Sequence, residues 1–315
     1  MKKIYDVMVV GELNIDLILN QIESFPEIGK EKIAGQMSLT LGSSSAIFAS
    51  NLSSLGIKTA FIGKVGQDSF ADLVLSSLQA KKVDTSLIIQ DKTLATGATI
   101  VLNFGEDRAN ITHPGAMDHL SFSDIPLEKI TQAKHLHFSS CFLQPKIFPD
   151  LAKLFKFAKE LGLTTSLDTQ WDPAEKWDFD AATILPVVDV FMPNELEALH
   201  LSREKTLDAA LDKLALLGNI IIIKMGNKGS ICKCGDKLYE AAPFLNKNVV
   251  DAIGAGDSFN AGFISKYVKG CDIEQCLKFG NLTGAISTTR AGGTAAFTTQ
   301  EEIMIIAKER FGFTE

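Results

Sequence analysis

Asp251-Ala252-Ile253-Gly254-Ala255-Gly256-Asp257-Ser258-Phe259-Asn260-Ala261-Gly262-Phe263-Ile264 is a loop of small residues that runs straight into an apolar periodic segment. After Gly256 the apolar positions Phe259, Phe263 and Tyr267, with Ile264 and Val268, recur at helical spacing, so the loop opens a helix N-terminus. Such an end has free N–H groups and the positive end of the helix dipole, and residues without bulk at 254–256 let an anion reach the backbone. Asp257 falls in that first turn. A carboxylate beside an anion hole repels phosphate, and taking a proton from an attacking hydroxyl is one reason to keep it there. With an ordinary pKa of about 3.9 it is ionised at neutral pH and needs no tuning for that task. The bland alternative is a tight turn with an acid favoured by the dipole.

Outward from this segment, the runs Val7 to Val10, His135 to Phe138, Thr164 to Leu167, Val187 to Phe191 and Ile220 to Ile223 are short, continuous and bounded by turn residues. Strands buried on both faces have that character, which predicts a parallel sheet. Helical stretches lie between them, at Ser45 to Leu55, Phe70 to Ala80, Phe148 to Leu161 and Glu195 to Leu201, so strand and helix alternate as in a doubly wound α/β domain. A ligand site is then expected at the carboxyl ends of the strands. Two segments break the rhythm. Lys32 to Leu41, and Gly97 to Thr112 with Ala98 to Leu102 and Ala109 to Thr112 flanking Gly105-Glu106-Asp107, read as strands of a small separate sheet that closes over the site or joins two subunits.

The chain has 315 residues, 46% of them hydrophobic and 22% charged, which suits a folded globular protein and argues against disorder. A net charge of -7 without a basic cluster argues against a nucleic-acid partner. The first apolar run is too short for a signal peptide or a membrane span, so no membrane is expected. Five scattered cysteines make no disulfide framework, and a reducing cytoplasmic setting follows. Cys232 and Cys234 read as one arm of a hairpin rather than half of a zinc site. The histidines at 113, 119, 135, 137 and 200 form no metal spacing and receive no catalytic role.

Asp251 through Ile264, with Gly254-Ala255-Gly256-Asp257 and the small pair Ala261-Gly262, resembles the C-terminal signature of the PfkB, or ribokinase-like, carbohydrate kinase family. The resemblance implies a three-layer α/β/α domain spanning 1–315, with a central mostly parallel sheet and a small β-sheet lid whose strands are inserted at about 12–41 and 97–115. It implies ATP and Mg²⁺, with K⁺ as a possible third ion, and Asp257 as catalytic base beside an anion hole made by Gly254, Ala255 and Gly256. Ala252 stands where the family has Thr or Ser.

Other segments match the family in order. Val9-Val10-Gly11-Glu12-Leu13-Asn14-Ile15-Asp16 resembles its first strand and turn, which makes Asn14 and Asp16 candidates for sugar hydroxyls; taken alone, both are ordinary turn residues. Gly42, Ser43 and Ser44 begin the N-terminal signature, where Ser43 replaces a glycine and Ile47 an asparagine that contacts sugar. Gly63 and Gly66 match a further landmark and read as turn formers. Asn194-Glu195-Leu196-Glu197 resembles the Asn-x-x-Glu motif near Mg²⁺ and the nucleotide phosphates, with Glu197 acting through water, and it also spells an N-terminal capping box. Lys224, Gly226 and Gly229 resemble the strand and turn at the nucleotide, with Lys224 either on phosphate or in solvent, and Asn281 the helix beside adenine. Asp251, Ile253, Ser287, Arg290 and Gly292 are the implied ligands of a monovalent cation. Asp168 to Pro173 resembles the family's Asp-Pro-Asn region, where Trp171 reads as packed.

The function implied is transfer of the γ-phosphoryl group of ATP to a hydroxyl of a sugar or sugar acid, fructose-, ribose- or ketodeoxygluconate-like. The alternatives are a nucleoside kinase of the same fold and a non-catalytic sugar-binding regulator, kept open by Ile47. A homodimer through the lid is a possible assembly. A dinucleotide dehydrogenase or a Walker nucleotidase lacks its glycine motif here.

Overall fold

A computed structural model describes residues 3–104 and 107–314. Gly105 and Glu106, read above as part of a turn, lie outside the described residues. The strands are β1 Tyr5–Val10, β2 Asn14–Ile22, β3 Ala34–Leu41, β4 Thr59–Gly66, β5 Asp84–Asp91, β6 Gly97–Phe104, β7 Asp107–His113, β8 Ala133–Ser139, β9 Thr164–Asp168, β10 Val190–Phe191, β11 Ile220–Lys224, β12 Ser230–Cys234 and β13 Lys237–Ala241. The helices are α1 Ser44–Ser54, α2 Ser69–Ala80, α3 Leu127–Ile130, α4 Leu151–Glu160, α5 Ala181–Ile184, α6 Glu195–Ser202, α7 Leu207–Ala215, α8 Ala255–Tyr267, α9 Ile273–Ser287 and α10 Gln300–Phe311. No helix among the described residues is long and apolar enough to cross a membrane.

The large sheet runs β13-β12-β11-β10-β9-β8-β1-β4-β5 and is parallel except for the β12–β13 hairpin at one edge. Its strands alternate between two cores. Val7 and Val9 pack into one layer and Met8 and Val10 into the other, while Ile222 opposes Ile221 and Ile223 in the same manner. Burial on both faces therefore accounts for the continuous apolar runs, each large side chain contributing about 1.5–3 kcal/mol on burial. The face of β8 that carries His135 and His137 is polar but satisfied. His135 bonds the hydroxyls of Thr164 at 2.8 Å and Ser166 at 2.7 Å, and His137 bonds Ser166 and Ser139 at 2.7 Å each. Burial pushes His135 down to about 3 and His137 well below its usual value, so both stay neutral.

Several local readings change. Gly63 is inside β4 and Gly66 ends it, so neither forms a turn. A Cβ on Gly63 would lie 2.8 Å from the Phe61 ring and 2.9 Å from the Gly11 carbonyl, so close packing of strands requires the glycine. Of the run Val187 to Phe191 only Val190 and Phe191 pair as strand, because Leu185–Val187 coils into a 3₁₀ turn. Cys232 and Cys234 lie in a hairpin strand as expected, and all five cysteines are free.

The small sheet runs β3-β2-β6-β7, its central pair parallel and its outer pairs antiparallel. Alternation gives it two faces. Asp16, Ile18, Thr99, Val101, Asn110 and Thr112 share one, and Leu17, Leu19, Met37, Leu39, Ile100 and Ile111 share the other, by register.

Candidate active site

A cleft of about 560 Å³ lies at the carboxyl ends of the parallel strands, roofed by Thr99, Val101, Asn110 and Thr112 of the small sheet. The chain ends of β1, β9 and β11 and the N-terminus of α8 meet there, bringing Glu12, Gln170, Lys224 and Asp257 to one wall.

Gly254 is the N-cap of α8 at φ 73°, a backbone region that only glycine enters freely. A Cβ at this position would also lie 2.6 Å from the Gly293 Cα and 3.1 Å from Ile47 Cγ2. The loop is thus held against Ile47 and Gly293. Asn51 fastens the same junction, its amide donating to Ser258 Oγ and to the Gly293 carbonyl, each at 2.9 Å. Beyond Gly254, Ala255, Gly256 and Asp257 all line the cleft in the first helical turn, where backbone N–H groups have no intrahelical partner.

Asp257 is buried, and Gln170 Nε2 donates to its Oδ1 at 3.0 Å. Its carboxyl is pushed up to about 8 by burial, then by the charge of Asp168, with Glu12 adding to the rise while Lys224 and the Ser44 hydroxyl oppose it. The expectation of an ordinary aspartate, ionised without tuning, is therefore corrected. Isolation from water and a neighbouring carboxylate are the reasons.

Asp168, fully buried at the end of β9, is the hub of this wall. Its Oδ2 accepts from Lys224 Nζ at 2.5 Å, Asn260 Nδ2 at 2.5 Å and Gln170 Nε2 at 3.0 Å. Lys224 is consequently not a solvent-facing residue. Burial alone draws an ammonium down, but Asp168, Glu197 and Asp257 together outweigh it, so Lys224 stays charged. Its Nζ is 3.6 Å from where a Gly256 side chain would start, beside the N-terminus of α8. Glu12 completes the wall. Its Oε1 accepts from the Ser45 amide at 3.1 Å and its Oε2 from the Ser45 hydroxyl, and burial raises its pKa despite these bonds.

At the end under the small sheet, Asn14 and Asp16 are residues of β2 rather than of a turn. Asn14 Nδ2 donates to Asp16 Oδ1 at 3.1 Å and to Thr99 Oγ1 at 3.0 Å, so one amide orients a carboxylate and a hydroxyl that both line the cleft. Gly42 does not line it. A Cβ there would come within 2.2 Å of Asp16 Oδ1, so Gly42 makes room for the aspartate. Ser43 caps α1 from φ 69°, which explains why a glycine fits this position, and its Oγ donates to the Glu12 carbonyl at 2.6 Å. Ser44 lines the cleft next to it.

At the other end, Asn194 and Glu197 form the capping box of α6, with Glu197 N donating to Asn194 Oδ1 at 2.9 Å and Asn194 N to Glu197 Oε2 at 2.8 Å. Both also line the cleft, so capping and a role there coexist. Burial and then Asp168 push Glu197 up to about 7. Gly226 and Gly229 flank a 3₁₀ turn that lines the cleft, and Asn281 donates to the carbonyls of Ala241 and Ala242 at 3.0 and 3.1 Å. Asp251, Ile253, Ser287 and Gly292 come together behind the loop. Asp251 accepts from Ile253 N at 2.8 Å and Gly292 N at 3.0 Å, and Ser287 Oγ donates to the Ile253 carbonyl at 3.4 Å. The Arg290 side chain instead points out to the Ala295 carbonyl. Trp171 is 42% exposed, packs edge-on to Trp177 and does not line the cleft.

Residues 5–300 match the model of a family described as "pfkB family carbohydrate kinase". The chain belongs to the pfkB family. It is an ATP-dependent carbohydrate kinase, a phosphotransferase acting on an alcohol group. It is 32% identical over 234 residues to an uncharacterized sugar kinase of Archaeoglobus fulgidus, covering 74% of this chain and 92% of that one. It is 28% identical over 309 residues to an ATP-dependent ribose-1-phosphate kinase of Halopiger xanaduensis, covering 97% and 99%. A putative ribokinase II of E. coli, solved in complex with ATP and Mg²⁺, superposes with a TM-score of 0.84 at 24% identity over 97% of this chain and 99% of that one, a likeness of fold.

In this pfkB kinase, Glu12, Asn260 and Thr99 join the site with no individual role legible in the sequence, while Asp168 and Gln170 belong to a segment whose resemblance places it beside the cleft. Glu12, Asp168 and Gln170 stand in segments already singled out, at or within two residues of the carboxyl ends of β1 and β9. Position at a strand's carboxyl end was the signal that marks them.

Proposed function

We propose that this kinase transfers the γ-phosphoryl group of ATP to a hydroxyl of a neutral sugar, with Asp257 as general base. The observation that carries the reading is Asp257 in the first turn of α8, where Ala255, Gly256 and Asp257 line a cleft whose far end holds Asn14, Asp16 and Thr99. The acceptor hydroxyl gives its proton to Asp257, its oxygen bonds to the γ-phosphorus, and the bond from that phosphorus to the oxygen kept by ADP breaks. The α8 N-terminus and Lys224 stabilise charge on the transferring group. Bound Mg²⁺ would neutralise phosphate charge, held through water by Glu197 and otherwise by the phosphates themselves. Among the described residues no cluster of His, Cys, Asp or Glu is arranged to hold a metal without a ligand's help.

Charge supports this reading of the substrate class. Among the described residues Lys224 is the cation lining the cleft, whereas Glu12, Asp16, Glu197 and Asp257 line it as acids. At the end under the small sheet, Asp16 beside Asn14 and Thr99 accepts bonds from hydroxyls and repels an anionic acceptor, so a neutral polyol suits this end best. A nucleoside is the second reading, since it too is neutral and rich in hydroxyls. The chain is read as one catalytic domain in the cytoplasm, with K⁺ held near Asp251, Ile253, Ser287, Gly292 and the Arg290 backbone. The outer face of the lid, where Met37 and Ile111 are 69% and 63% exposed, is read as the contact of a homodimer.

ATP consumption with Mg²⁺ and K⁺ against fructose, ribose, 2-keto-3-deoxygluconate, a sugar phosphate, adenosine and inosine tests the reading. A neutral sugar should turn over, and Asp257→Ala should lose about 10²- to 10⁴-fold in kcat with ATP binding retained. Full turnover by that variant, or preference for an anionic acceptor, refutes the base or the substrate class respectively.

A further inference from the structure

Gln170 follows the end of β9 at φ 58°, the left-handed region that non-glycine residues avoid. That turn folds its side chain back into the site. There its amide nitrogen lies 3.0 Å from Asp168 Oδ2 and 3.0 Å from Asp257 Oδ1, while its backbone N–H reaches Asp168 Oδ1 at 3.3 Å. A side-chain amide carries two hydrogens, and two carboxylates stand ready to take one each. A backbone strain of this kind persists where surrounding contacts determine it, and it concentrates at functional positions.

We infer that Gln170 is the positioning residue of the base: its amide bridges Asp168 and Asp257 and holds Asp257 Oδ1, leaving Oδ2 to receive the proton of the acceptor hydroxyl. This rests on the assignment of Asp257 as base. The groups that face Asp257 from each element packed on it are Asp168 at the end of β9, Lys224 at the end of β11, Glu12 after β1 and the Ser44 hydroxyl of α1. Two of these are acids that resist ionisation of Asp257, so a donor on Oδ1 has a defined electrostatic effect. It favours the carboxylate, and its loss moves the titration of Asp257 upward. A residue that merely filled space would leave that titration where it is.

Gln170→Met keeps length and volume without donors. With ¹³Cγ-labelled aspartate, the Asp257 resonance is assigned by its absence in Asp257→Asn and followed against pH in the enzyme without ligands. The expected result is a midpoint higher by about one pH unit in Gln170→Met, a tenfold change in acidity, and an acidic limb of kcat/KM that moves with it. Gln170→Asn, whose side chain adopts the left-handed region readily and keeps a shorter amide, should fall between the two and serves if the methionine variant does not fold. An unchanged midpoint in the folded variant overturns the inference. If Asp257→Asn instead retains full turnover, the assignment of the base fails, whatever Gln170 does.

Discussion

Asp257→Asn should make this kinase inactive and more stable, and the stabilisation should depend on pH. The carboxyl stands at about 8 in the fold against an ordinary 3.8, raised by burial and by Asp168. At about 1.4 kcal/mol per pH unit, a displacement of that size corresponds to roughly 6 kcal/mol when the buried group is ionised. The sign follows from linkage. Below pH 3.8 the carboxyl is protonated in both states and costs nothing; between 3.8 and 8 the unfolded chain ionises while the folded one does not, so stability is lost as pH rises; above 8 the loss is complete. Asparagine escapes that loss while its amide oxygen still accepts from Gln170 Nε2. Thermal melts without nucleotide or sugar should therefore show a gain of roughly 2 °C at pH 5, where about 1.2 pH units of the window have been crossed, and at least twice that at pH 9. A variant that melts below the parent, or shifts equally at both pH values, would refute the assignment of a raised carboxyl.

Gly254→Ala places a methyl group where 2.6 Å separates it from Gly293 Cα, at a φ of 73°. The loop must move, and kcat should fall by about 10²-fold or more with circular dichroism unchanged; turnover within twofold of the parent would remove the anion hole from the mechanism. Lys224→Met leaves the fully buried Asp168 without its cation. Its urea midpoint should drop by the equivalent of about 3–5 kcal/mol, and adding Asp168→Asn should restore most of that; a double variant no more stable than the single would show that the pair is not coupled.

The parallel strands were legible because burial on both faces leaves a continuous apolar run, as in Val7 to Val10 and Ile220 to Ile223. β4 escaped, since Gly63 and Lys64 interrupt it. Glycine there answers to packing against Gly11, and the buried Lys64 bonds Asp124 at 2.9 Å, a partner 60 positions away. The same limit applies at the site. Asp257 was legible as a helix-start acid because its context is local, whereas Lys224 meets Asp168 across 56 positions and Gln170 meets Asp257 across 87. No periodicity reports such meetings. They exist because β9, β11 and α8 deliver their ends to one place.

The raised carboxyl also changes what the base can do. An aspartate at its ordinary value is ionised at neutral pH but holds a proton weakly, so it assists little when an alcohol begins to attack. Burial of Asp257 does most to remedy this, Asp168 adds its charge, and Glu12 adds to the effect, while Lys224, paired to Asp168 at 2.5 Å, opposes it. On the proposed assignment of Asp257 as base, burial and these carboxylates make it a stronger proton acceptor, poised near its working pH rather than far below it. In the proposed mechanism Lys224 and the α8 N-terminus answer the phosphate charge separately. One wall of the cleft holds the raised carboxyl and, within a few ångströms, its lysine reaches Gly256 of the proposed anion hole.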